Sequence, residues 1–168
     1  MTDKILVAYA TKAGSTAEVA EAVGEELRRA GAEVDVRLAK DVKDLKQYSA
    51  VIVGSGIRMG QLSSDATKFV EKHQEALKQV PVAYFVVCLT MKEDTEENRS
   101  TVEAYLDPVR EMVEPVDTGL FAGVIDYSKL SFTARTMSKA MKVSEGDFRD
   151  WEAIRAWARQ VHDRLTQE

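Results

Sequence analysis

The chain holds one cysteine, Cys88, and two histidines, His73 and His162, in 168 residues. A lone cysteine excludes an internal disulfide and every CxxC or paired-cysteine zinc motif. So few thiol and imidazole donors give no reason to expect a metal site. Long apolar runs are also missing: none approaches the ~20 residues that span a bilayer. Positive charge is in deficit, with 23 Lys and Arg against 28 Asp and Glu and a formal net charge of −5. A nucleic-acid binder would ordinarily present a basic surface, so that class is set aside. There is no repeat, no low-complexity segment and no Pro/Gly-rich linker, and the expectation is a single domain over residues 1–168. The opening Met1-Thr2-Asp3-Lys4 enters an apolar run at once, without a signal peptide, which leads to the expectation of a cytoplasmic protein.

What the chain does have is an alternation. Apolar runs at 4–10, 32–39, 50–56, 82–89 and 118–125 read as strands. The first, third and fourth are nearly continuously apolar, as in strands covered on both faces. The second alternates, with Val34, Val36 and Leu38 against Asp35 and Arg37, and suits an edge. Helical spacing lies between them. Val19, Val23 and Leu27 lead to a closing Gly31. Phe69, Val70, His73 and Leu77 mark a second helix, and Val102, Leu106, Val109 and Val113 a third in which Pro108 predicts a kink or split. A stripe from Trp151 to Leu165 marks the last. Strands alternating with helices imply an α/β fold, a five-stranded parallel sheet with helices on both faces. The flavodoxin-like order 2-1-3-4-5 agrees with the second strand at an edge. Ligands of such sheets sit outside the C-terminal strand ends, near the switch point.

Three loops therefore matter. The first, Thr11-Lys12-Ala13-Gly14-Ser15-Thr16, supplies hydroxyls, a glycine and the free N–H groups of a helix start, all suited to a phosphate. Ser15-x-x-Glu18 also fits a capping box, and both readings can hold of one helix start. It is neither GxxxxGK[ST] nor GxGxxG. The second, Gly54 to Leu62, has three glycines in seven residues, Gly54, Gly56 and Gly60, at a strand end; it reads either as backbone brought close to a flat ligand or as an ordinary turn. The third, Cys88-Leu89-Thr90-Met91-Lys92, says little by itself.

The strand–"TKAGST"–helix unit resembles the phosphate loop of flavodoxins. With "GSGIRMGQL", "CLTMK" and the late "AGVIDYSKLSF…SKAMK…DWEAIRAWA", the chain resembles, over nearly its whole length, the flavodoxin-domain family that includes menaquinone-dependent protoporphyrinogen IX oxidase. The resemblance implies FMN as cofactor. It implies that Thr11, Ser15 and Thr16, with backbone N–H groups from Lys12 through Ala13 and Gly14 to Thr16, hold the phosphate. Gly56, Ile57, Arg58, Met59 and Gly60 would flank the isoalloxazine, and Leu89, Thr90 and Met91 would reach its pyrimidine edge. The family often carries Tyr after the loop arginine; here that position is Met59, and no aromatic stands in the 88–92 loop. Arg58 has two readings, solvent-facing or placed to stabilise negative charge on the reduced ring.

Between Tyr127 and Ser144 there is no acidic residue, but there are Lys129, Arg135, Lys139 and Lys142. Leu130, Ala134, Met137 and Met141 keep helical spacing there. The segment is either a solvated basic face or a docking surface for an acidic redox partner, porphyrin propionates or, peripherally, an anionic membrane. Cys88 and His73 read as packed residues, Trp151 and Trp157 as core or flank of the last helix.

Three functions compete. One is an FMN-dependent electron carrier. The second is an enzyme oxidising a porphyrinogen or related donor and reducing a quinone. The third is a flavin-free binding domain on the same fold. A phosphate-receiver domain would need acidic residues after strands one and three, where this chain has Tyr9-Ala10-Thr11 and Gly54-Ser55.

Overall fold

The computed structural model describes residues 4–11, 15–58, 60–125, 136 and 146–166. Lys12, Ala13, Gly14, Met59, Lys129, Arg135, Lys139 and Lys142 lie outside the described residues, as does the helix expected in the basic segment.

Five strands run parallel: β1 (Lys4–Ala10), β2 (Glu33–Leu38), β3 (Ala50–Arg58), β5 (Val82–Val87) and β6 (Asp117–Phe121). Their order is β2-β1-β3-β5-β6, which is 2-1-3-4-5 when only these five are counted. The short β4 (Gln61–Leu62) adds to β3 antiparallel. The continuous apolar runs of β1, β3 and β5 are explained by two cores, one on each sheet face. Alternate residues serve alternate faces. Leu6, Ala8, Val51, Val53, Tyr84 and Val86 join one core, and Ile5, Val7, Ile52, Ala83, Phe85 and Val87 join the other.

The second core is covered by α1 (Ser15–Arg29), through Val19, Val23 and Leu27, and by the last helix, α6 (Trp151–Thr166), through Ile154, Trp157, Val161 and Leu165. The first core is covered by α2 (Ser64–Lys72), α3 (Gln74–Leu77), α4 (Glu96–Ala104) and α5 (Asp107–Met112). Gly31 ends the α1 connection in the left-handed region, φ +103°. β2 is an edge as expected; Asp35 on it accepts from the Tyr48 hydroxyl at 2.8 Å and pairs with Lys4 at 3.3 Å.

Four expectations are corrected. The apolar run 118–125 is not one strand: β6 stops at Phe121, and Val124–Ile125 (β7) pairs antiparallel with Gly146–Asp147 (β8) in a separate sheet. The second helix breaks at His73, whose φ of −104° and ψ of 17° leave the helical region. β3 runs two residues farther than expected, because Ile57 and Arg58 pair with Leu62 and Gln61 across a tight turn holding Gly60 at φ +73°. The capping box is not built either: Ser15 is already the first helical residue, and the Glu18 carboxylate is taken by Arg149. The split of the third helix occurs where Pro108 sits, in the first turn of α5.

Candidate functional site

The parallel register sets the site. Ala10 pairs with Ser55 across β1 and β3, Gly56 with Val87 across β3 and β5, and Val87 with Phe121 across β5 and β6. The loops leaving β1, β3, β5 and β6 therefore emerge along one edge of the sheet. This edge is the C-terminal one, where parallel sheets place their ligands.

The loop after β1 delivers the start of α1. Ser15 is half-buried and Thr16 is 1% exposed. Thr16 packs against β3: a Cβ added at Gly56 would stand 3.2 Å from its Oγ1. Gly56 is thus a place where the first and second loops meet closely, and a side chain there would make Thr16 give by a few tenths of an ångström.

The loop after β3 is a hairpin, held by Ser55. That side chain, 2% exposed, donates from Oγ to the Gly56 carbonyl at 2.7 Å and accepts from the Ser63 N–H at 2.9 Å. One hydroxyl ties both ends of the excursion. Ile57 is half-buried and Arg58 exposed, while Gly60 turns the tip beside the half-buried Tyr105 ring, 3.6 Å from where its Cβ would be. The exposure of Arg58 is common to both of its readings.

The loop after β5 is a single 3₁₀ turn over Leu89–Lys92. Cys88 N–H donates to the Phe121 carbonyl at 2.9 Å, so the turn begins braced against β6. Leu89 and Thr90 are half-buried at the edge. Met91 is not: its side chain is 5% exposed and belongs to the core under α4 and α5. Only its backbone faces the role expected of it. Cys88 is a core residue as expected, with its thiol pushed up by burial.

A fourth loop joins these three, one that the sequence reading does not single out. After β6 the chain passes Gly123, whose added Cβ would lie 3.2 Å from Val87 Cγ1, and leaves through β7. It returns through β8 into Phe148 and Arg149. Phe148 N–H donates to the Gly123 carbonyl at 3.1 Å, and the Lys92 ammonium stands 4.5 Å over the Phe148 ring. Arg149 forks onto Asp147, at 2.9 and 2.7 Å, and reaches Glu18 in α1 at 2.6 Å. Its side chain is only 9% exposed and lies 4.5 Å from the Trp151 ring. Trp151 is therefore a flank residue and Trp157 a core one. The signal for this brace is weak in the sequence: an Asp-Phe-Arg-Asp run before the last helix.

A cleft of about 510 Å³ lies elsewhere, along α1 between Glu18, Glu21, Glu25 and Arg28. Three carboxylates there disfavour a phosphate, so the strand-end loops remain the candidate site. Among the described residues no helix is long and apolar enough to cross a membrane.

Residues 6–151 match the model of the flavodoxin domain. Protoporphyrinogen IX dehydrogenase (quinone) of Escherichia coli strain K12 is 27% identical over 172 aligned positions, covering 94% of each chain. A flavodoxin from the domain Archaea superposes with a TM-score of 0.62 at 19% identity, covering 98% of this chain and 99% of that one. A Fusobacterium nucleatum flavodoxin mutant, bound to flavin mononucleotide in its structure, gives 0.59 at 14% identity, covering 99% of both chains.

Proposed function

The chain belongs to the flavodoxin-domain family, and from that premise we propose that it is a single-domain, cytoplasmic redox protein working through bound FMN. The observation that carries the reading is the meeting of loops at one sheet edge, where a Cβ added at Gly56 would stand 3.2 Å from Thr16 Oγ1. The residues present fit the group. The start of α1 offers N–H groups and the hydroxyls of Ser15 and Thr16 for the phosphate, joined by Thr11, Lys12, Ala13 and Gly14. Gly56 to Gly60 form one wall for the ring, stiffened by the Ser55 staple. Leu89, Thr90 and the Met91 backbone form the opposite lip. When bound, FMN supplies reversible electron and hydride transfer, which no side chain here can supply. The protein's part is to hold the phosphate, fix the ring between two braced loops and limit water at its edge.

A second reading is favoured by one observation, the full-length similarity to a protoporphyrinogen IX dehydrogenase. In it the chain is an enzyme that oxidises a porphyrinogen and passes the electrons to a quinone. Lys129, Arg135, Lys139 and Lys142 would then supply positive charge for propionates, for an acidic partner or for a peripheral membrane surface. In the carrier reading the same charges dock a redox protein.

The test is the visible spectrum of the purified protein, followed by chromatography of the released chromophore. Stoichiometric FMN supports the proposal. A colourless protein that takes up no added FMN would sink it and leave the flavin-free binding domain. Porphyrinogen oxidation with a quinone acceptor then separates enzyme from carrier, and K139E/K142E tests the docking charges.

A further inference from the structure

Residues 147–149 touch two of the three loops at once. Phe148 lies under the Lys92 ammonium at the end of the β5 loop, at 4.5 Å from ring centroid to Nζ. The next residue, Arg149, reaches Glu18 in the first turn of α1 at 2.6 Å. The backbone between them is pinned to Gly123 through the Phe148 N–H at 3.1 Å, and the Arg149 N–H returns to Asp147 Oδ1 at 3.0 Å.

Glu18 poses an electrostatic problem for a phosphate site. A carboxylate in the first turn is favourable for an isolated helix, because it meets the positive end of the dipole. A phosphate at the helix start uses that same field. The two anions then compete for it and repel each other. Arg149 offsets this. Its guanidinium, 4.5 Å over the Trp151 ring on a side chain 9% exposed, binds Asp147 through two nitrogens and Glu18 through the third. The three groups sum to one negative charge with Arg149 and two without it. The Asp147 carboxyl, held below the ordinary range by its Arg149 hydrogen bond, stays ionised in this pairing.

We propose that Arg149 is a positioning residue of the FMN site: it neutralises Glu18 beside the phosphate-holding start of α1. The proposal rests on the FMN reading above. It assigns the residue no contact with the flavin.

The test is titration of the apo-protein with FMN, followed by quenching of flavin fluorescence, in wild type, R149Q, E18Q and R149Q/E18Q. Glutamine keeps part of the stem over Trp151 and removes the charge. R149Q is expected to raise the dissociation constant by about tenfold, with a smaller effect in high salt. R149Q/E18Q should recover to within about threefold of wild type, since the uncompensated carboxylate is gone. E18Q alone should bind about two- to threefold tighter, because Arg149 is then shared with one anion fewer. Unchanged binding in R149Q overturns the proposal. So does an equal loss in R149Q and R149Q/E18Q, which would reduce Arg149 to a mechanical brace. Should R149Q fail to fold, E18Q decides alone: tighter binding supports the proposal, and unchanged or weaker binding overturns it. A wild-type protein that binds no FMN would instead overturn the function proposed above.

Discussion

Gly54 and Gly56 stand two residues apart on the same face of β3, yet alanine at each should do different things. At Gly54 an added Cβ would lie 2.0 Å from Phe85 Cζ, with two further ring atoms at 2.4 and 2.6 Å. An ordinary contact begins at 3.4 Å, so the ring must retreat by about 1.4 Å. It has nowhere to go: Phe85 is 0% exposed, and the Phe121 and Trp157 rings stand 6.1 Å away, centroid to centroid. Overpacking of this kind costs about 3 kcal/mol. Alanine recovers about 0.5–1 kcal/mol of backbone entropy, which leaves a net loss of about 2 kcal/mol. For a domain of this size that is a fall of about 4–8 °C in Tm. At Gly56 the neighbour is the Thr16 hydroxyl at 3.2 Å, which needs to give by only a few tenths of an ångström. The entropy gain cancels that cost, and G56A should match wild-type stability within about 0.5 kcal/mol. It shifts the first turn of α1, however, and FMN affinity should fall by about five- to tenfold, near 1 kcal/mol. Urea unfolding of the apo-proteins and FMN titration read the two effects separately. In an F85L background, where the ring is absent, G54A should cost less than about 0.5 kcal/mol. G54A as stable as wild type, or as damaging in the F85L background as with the Phe85 ring in place, would refute the steric reasoning.

Two further predictions concern the opposite core. His73 is 8% exposed, its Nε2 has no hydrogen-bond partner, and burial followed by the Lys72 charge lowers its pKa below the ordinary 6.5. The unfolded chain therefore takes the proton first: the contribution is whole above pH 6.5 and is lost as pH falls from there toward the lowered folded value. The slope reaches at most about 1.4 kcal/mol per pH unit, and urea midpoints at pH 7.5 and 5.5 should show a smaller drop in H73F than in wild type. Tyr84, 1% exposed, donates its hydroxyl to the Val113 carbonyl at 2.7 Å, and burial pushes its pKa well up, so it stays a donor at every working pH. Y84F should cost about 1–3 kcal/mol by leaving that carbonyl unpaired, with differential scanning calorimetry as the check; an unchanged Tm would mean the carbonyl finds another partner.

The fold was legible where one physical cause acts along the chain. β1, β3 and β5 are apolar throughout because both faces are covered, and the sequence bounds of β1 match its structural ones, Lys4–Ala10. Pro108 announced the break between α4 and α5 because a missing N–H is a local fact. The break at His73 carried no such mark: no glycine or proline stands there, and the structure offers no local cause for its φ of −104° and ψ of 17°. The run 118–125 misled for a related reason. Apolar alternation does not say which partner a strand pairs with, and Gly123 looked like one more strand residue rather than the point where the chain must pass Val87 closely.

The candidate site divides along the same line. Its hydroxyl and glycine loops have local signatures: in the proposed reading a phosphate and a flat ring both demand close backbone, which Gly, Ser and Thr allow. The Arg149 ion pairs beside those loops have none. Arg149 finds Glu18 across 131 residues of sequence, and one arginine before a helix looks like any other. Its place is visible only in the geometry, a side chain 9% exposed between two half-exposed carboxylates and an indole at the edge where the loops emerge. The Arg149 side chain is 9% exposed while its partners Glu18 and Asp147 are 55% and 49% exposed, so its loss leaves two solvated carboxylates whose charge is no longer offset. The loops proposed to hold the ligand are thus readable from the chain, and the ion pairs beside them are readable only from the fold.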